Sequence, residues 1–169
     1  MSSEGVVVWF TGAPSAGKST LAKRLAHELR QRHAAVVLLD GDEVRQAIVP
    51  SPGYDEPARE HFYETLARLA ALMARQGLTV LVAATAHRRA FRQRARELAP
   101  RFVEVFVDVP ENERRARDDK GLYGAESRGG VRGLPGADLV YEAPSAPEVA
   151  AAGGRDDAAL ASLLALLTP

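Results

Sequence analysis

The sequence predicts an α/β fold, a mostly parallel sheet of about five strands with helices on both faces. Three observations carry that prediction. Short apolar runs alternate with longer segments of helical spacing along most of the 169 residues, which implies right-handed crossovers between parallel strands. The first run, VVVWF at 6–10, is wholly apolar, as a strand buried on both faces requires. A glycine-rich loop follows it and opens directly into a helical pattern.

The elements follow in order. After the strand at 6–10, residues 19–32 read as a helix, with Leu21, Leu25 and Leu29 at four-residue spacing. VVLL at 36–39 is a second buried strand, and 43–49 a short helix stopped by PSPG. Residues 58–76 form a long helix with Phe62, Leu66, Leu69 and Met73 on one side and Gly77 as its stop. Strands at 78–85 and 102–109 flank a helix at 88–98. A helix at 111–117 follows Pro110. A weak strand near 148–151 and a helix at 156–167 complete the chain, which reads as one domain over 1–169. The segment 118–144 holds six of the fourteen glycines and no sustained apolar period. So long a stretch without regular structure reads as a mobile lid or as disorder.

Composition narrows the function. Apolar residues make up 46% and charged residues 26%, and the formal net charge is zero. No bulk field attracts nucleic acid or an anionic membrane, so anion binding must be local. Without cysteine there are no thiolate metal sites or disulfides. The absence of a basic leader and of a long apolar run fits a cytoplasmic protein with no membrane partner. Nineteen arginines stand against three lysines, Lys18, Lys23 and Lys120. The basic run HRRAFRQRAR at 87–96 spreads its arginines around a helix, which predicts a solvated face rather than a nucleic-acid patch. His27, His33 and His61 are expected at the surface, and Trp9 in the core.

The loop after the first strand reads GAPSAGKST, Gly12 to Thr20, and fits G-x-x-x-x-G-K-[ST] in strand–loop–helix context. Gly12 and Gly17 allow successive N–H groups to turn inward and cradle phosphate oxygens, with Ala13, Pro14, Ser15 and Ala16 between them. The helix N-terminus adds its positive end. Lys18 can reach β- and γ-phosphates, and the Ser19 hydroxyl can ligate Mg²⁺; the motif alone does not separate a kinase from an NTPase switch or a motor. The second strand ends in LLDGDEVR, which puts Asp40 and Asp42 at the cleft edge. They are candidates for ordering a metal water or accepting a proton, and Asp42 could equally cap the next helix. Arg45 and Arg59 flank the loop PSPGYDEP, and a guanidinium fork suits phosphate or sulfate oxygens.

GAPSAGKSTLA, LLDGDEVR, EVFVDVP with RDDKGLYG, and YEAPSAPE resemble adenylylsulfate (APS) kinases in order and spacing over most of 5–152. The resemblance implies a P-loop kinase fold. It also implies transfer of the ATP γ-phosphoryl group to the 3′-hydroxyl of APS, giving 3′-phosphoadenylylsulfate, as in sulfate assimilation. The segment 118–144 becomes a lid over both nucleotides, with Lys120 and Leu122 facing the acceptor and Arg117 near the ATP base. Arg45 and Arg59 would hold the phosphosulfate and Tyr54 would stack on the acceptor adenine. Asp42 would position or deprotonate the attacking hydroxyl, and Asp40 would order a metal water. Family members often pair, which leaves a homodimer open.

The chain departs from the family pattern on the acceptor side. Leu134 replaces the lid aromatic, Phe62 the asparagine expected three residues after Arg59, and Ala86-His87-Arg88-Arg89 a serine-proline-tyrosine-arginine stretch. Gly124 and Ala125 replace two basic residues. Two other readings therefore stand beside APS kinase: a related kinase for another hydroxyl-bearing nucleotide or small metabolite, and a nucleotide-responsive module that transfers nothing.

Overall fold

The computed structural model describes residues 3–117, 121 and 139–169. β1 (Val6–Thr11) lies at the centre of a five-stranded parallel sheet, between β3 (Thr79–Ala83) and β4 (Phe102–Val107). β2 (Val36–Asp40) and β5 (Val149–Ala151) form the two edges. The wholly apolar run of β1 has its cause here, because all six residues are buried.

Alternate residues of β1 serve opposite faces, as the two-residue strand period requires. Val6, Val8 and Phe10 join one core with Leu21, Leu25 and Leu29 of α1 (Lys18–Gln31) and Leu163 of α6 (Asp157–Leu167). Val7 and Trp9 join the other with Phe62, Leu66 and Ala70 of α3 (Glu56–Arg75) and Ala95 of α4 (Arg89–Leu98). Trp9 is fully buried, and its indole N–H donates to the Ala84 carbonyl (3.1 Å).

Several sequence expectations are corrected. β2 is half-buried throughout, because as an edge strand it has a neighbour, β3, on one side only. α2 (Gly41–Ala47) starts two residues before the expected position, because Asp40 and not Asp42 is its cap. α3 also starts earlier, at Glu56, with a proline in its first turn, where the missing N–H costs nothing. β3 ends at Ala83 rather than at residue 85. The chain beyond it leaves the sheet and turns at Ala86, whose φ of 43° is left-handed.

The basic helix departs most from expectation. Arg92 is fully buried rather than solvated. It donates to Glu104 of β4 (2.9 Å) and to the carbonyls of Ala86 (2.6 Å) and Glu142 (2.5 Å). Arg94 reaches Glu64 on α3, and Arg96 reaches Glu148 beside β5. These arginines clamp α4 to its neighbours. His27, His33 and His61 are exposed, as expected.

Candidate active site

The loop from Gly12 to Gly17 crosses the C-terminal tip of β1, where parallel sheets place their sites. Its glycines are required. A Cβ on Gly12 (φ 154°) would lie 2.5 Å from the Val107 carbonyl oxygen, and one on Gly17 (φ 100°) 2.5 Å from the Gly154 nitrogen. Ala13, Pro14 and Ala16 are buried, and Ser15 is left-handed at φ 64°. The Lys18 ammonium donates to the carbonyls of Gly12 and Ala13, both at 2.9 Å, and so lies across the loop. Thr20 packs against Gly154, where a Cβ would come within 2.7 Å of the threonine Cβ. Gly153 and Gly154 were not singled out from the sequence, although a glycine pair just after a strand was a readable signal.

Arg117 ends α5 (Glu111–Arg117), pairs with Glu113 (3.6 Å) and lies 3.9 Å from the Cβ position of Gly153. The Gly153–Gly154 pair therefore links Arg117 to the phosphate loop.

Asp40 joins the two acidic expectations. One carboxylate oxygen accepts from the Asp42 N–H (3.0 Å) and caps α2, while the other accepts from the Ser19 hydroxyl. Ser19 and Asp40 thus meet, bringing two hard oxygen donors together. Asp42 is exposed one residue into α2.

The acceptor-side arginines are buried, unlike most arginines. Arg45 and Arg59 are each 7% exposed. The Arg45 guanidinium lies 4.5 Å from the Tyr54 ring centre and 4.0 Å from that of Phe62, and it donates to the Gly53 carbonyl (3.1 Å). Arg59 lies 5.9 Å from the Tyr54 ring. Tyr54 is 66% exposed, free to meet a ligand as well as the arginines. Phe62 is buried and forms a floor under Arg45.

Three further polar side chains neighbour these residues. Tyr63 is buried beside Phe91 (ring centres 4.9 Å apart), and burial pushes its pKa up against the opposing pull of Ala86, Arg45 and Arg59. Tyr141, inside the quoted YEAP motif, shares a hydrogen bond with the Thr11 hydroxyl (2.8 Å), which also donates to the Thr85 carbonyl (2.6 Å). Burial raises the Tyr141 pKa to about 12. His87 is 2% exposed, and burial first, then the Arg59 charge, pushes its pKa down. Lys120, Leu122 and Leu134, with most of the segment 118–144, lie outside the described residues.

The structure therefore links Gly12–Thr20 with Asp40 through the Ser19 hydrogen bond and with Arg117 through Gly153–Gly154, and gathers Arg45, Tyr54, Arg59 and Phe62 into a second cluster; α2, capped by Asp40, carries both Asp42 and Arg45. Known proteins resemble this chain over most of its length. The family model for adenylylsulphate kinase matches residues 4–152. A probable adenylyl-sulfate kinase of Pyrococcus abyssi is 42% identical over 86% of this chain and 84% of its own. The adenylyl-sulfate kinase of Enterobacter sp. is 42% identical over 86% of this chain and 73% of its own. The APS kinase of Mycobacterium tuberculosis, solved with AMPPNP and APS, superposes with a TM-score of 0.91 at 30% identity, covering 98% of this chain and 99% of its own. A P-loop that needs its glycines, an acid at the tip of the second strand and buried arginines beside it thus coincide with a match over most of the length: the chain belongs to the adenylylsulphate kinase family.

Proposed function

We infer that the chain transfers the γ-phosphoryl group of ATP to the 3′-hydroxyl of APS, with the roles of individual residues as follows. The observation that carries this reading is the Ser19–Asp40 hydrogen bond, which joins the helix after the phosphate loop to the start of α2, the helix that carries Arg45 beside Tyr54 and Arg59. One half suits a triphosphate and the other a second anion, so a hydroxyl could be held in line with the transferred group. Catalysis of this kind is mainly positioning and charge neutralisation.

Loop amides and the Lys18 ammonium would take up charge on the triphosphate. Arg45 and Arg59 would orient the acceptor through its phosphosulfate, and Tyr54 would stack on the acceptor base. Asp42, exposed at the start of α2, would position the hydroxyl and accept its proton. Arg117 would border the ATP base. The paired oxygens of Ser19 and Asp40 fit Mg²⁺, which takes hard oxygen ligands and keeps several waters. When bound, the ion would neutralise phosphate charge.

The test is product analysis. With Mg²⁺, ATP and APS, 3′-phosphoadenylylsulfate should accumulate one for one with ADP; ATP loss without that product would remove APS as the acceptor. A second reading, a different alcohol acceptor, is favoured by Phe62. It places an apolar ring under Arg45 where the family resemblance implies an amide. A panel of hydroxyl-bearing nucleotides in the same assay separates the two.

A further inference from the structure

His87 has no assigned role in this reading, yet its surroundings are unusual. It follows Ala86, a buried alanine held left-handed at φ 43°. Such backbone is costly and persists only where its surroundings fix it. The fixing contacts are visible: Arg92 donates to the Ala86 carbonyl (2.6 Å) and the Glu142 N–H to the His87 carbonyl (2.8 Å). The turn carries the imidazole inward, where it is 2% exposed with its ring edge against Phe91, 5.5 Å between centres.

Neither ring nitrogen has a hydrogen-bond partner among the described residues. Glu56 lies 3.9 Å from Nε2, beyond hydrogen-bond distance, and is held by Arg88 at 2.6 Å. Buried polar atoms are almost always satisfied, so two orphaned nitrogens in one ring call for a partner. Burial first, and then the Arg59 charge, push its pKa down and favour the neutral ring. Through Glu56, His87 faces the first turn of α3, one turn before the acceptor-side arginine, without adding a second cation. It also sits in the stretch where the chain lacks the polar serine of the family pattern, close to the helix where Phe62 replaces an amide.

We propose that His87 is a specificity-determining residue of the acceptor site, its ring N–H donating to an oxygen of the anionic group that Arg59 holds. The proposal rests on the acceptor-side reading above. It makes His87 a substitute for the polar contacts that Ala86 and Phe62 do not supply.

The test compares the full-length chain with His87→Phe, which keeps ring size and the Phe91 contact, and His87→Gln, which keeps an N–H donor. Losing one hydrogen bond to a charged group should raise the KM for APS about tenfold in His87→Phe. The KM for ATP should stay constant, and His87→Gln should recover most of the loss. An unchanged KM for APS, or both KM values shifting together with a lower Tm, would assign the ring to packing and overturn the proposal. A second measurement does not depend on variants. With Mg²⁺ and ADP filling the donor side, the ring ¹⁵N signals of His87 should shift on adding APS. If the wild type neither binds nor turns over APS, the acceptor assignment fails by itself. Pyrophosphate then serves as the anionic probe, and static His87 signals would end the proposal independently.

Discussion

Lys18 lies across its own loop, bonded to two carbonyls, so its removal should affect chemistry far more than folding. Lys18→Ala is expected to lower kcat by a factor on the order of 10² or more, the typical loss for one electrostatic stabiliser. Circular dichroism and Tm should remain close to wild type. Asp40 has two separable duties. Asp40→Asn keeps an oxygen able to cap α2 but loses the carboxylate beside Ser19. It should retain stability within about 1 kcal/mol while requiring much higher Mg²⁺ for half-maximal rate, read from a magnesium titration.

Tyr141 gives a pH-dependent prediction at the same scale. Its folded pKa, about 12, lies above the unfolded value of 10.0 because burial disfavours the phenolate. The folded state therefore holds this proton more tightly. The contribution is complete below pH 10 and is lost as pH rises from 10 towards 12, at up to about 1.4 kcal/mol per pH unit. Tyr141→Phe should flatten that part of the alkaline unfolding curve while losing some stability at pH 8, where the bond to Thr11 is gone. Denaturant melts across pH would record both changes.

Among the elements, α4 shows why charge alone is a poor guide to location. Its arginines look like a solvated surface in sequence, yet Arg92 links β4, the end of the turn after β3, and the segment at Glu142. Arg92→Ala would leave the buried Glu104 with only the more distant Arg96 (3.8 Å), at a cost of up to about 3–5 kcal/mol. A chemical denaturation curve should show that loss, with reduced rather than abolished turnover in the surviving fold. Glu148 ties α4 to the sheet edge in a similar way. Burial alone would raise its pKa, but Arg96 and the Glu104 N–H outweigh that and lower it. Its contribution is present above the ordinary carboxylate range and is lost as pH falls through the lowered folded value.

For the whole molecule, zero net charge supplies no bulk field for anions, and several arginines are paired internally. No described helix is long and apolar enough to cross a membrane. Mg-ATP at a hundred times its Kd should stabilise the fold by about 2.7 kcal/mol, a Tm rise of roughly 5–10 °C for a chain of this size. Lys18→Ala should shrink that rise. Scanning calorimetry with and without nucleotide reads it directly, and no shift with any triphosphate would refute the phosphate site.

Much of the donor half was legible in the chain itself, because its chemistry is local. A glycine loop, its lysine and the hydroxyl after it work through backbone angles and a single helix start, so contiguous residues specify them. The alternation of apolar runs likewise determined the strands, their parallel sense and the two covered faces. Long-range packing decided the rest. It placed β2 at an edge, made Asp40 rather than Asp42 the cap, buried Arg92 and His87, and set Gly153–Gly154 against the phosphate loop and Tyr141 against Thr11 from distant segments. Burial and partnership depend on which surfaces meet across the sheet, and a linear pattern carries that information only once the strands have taken their order.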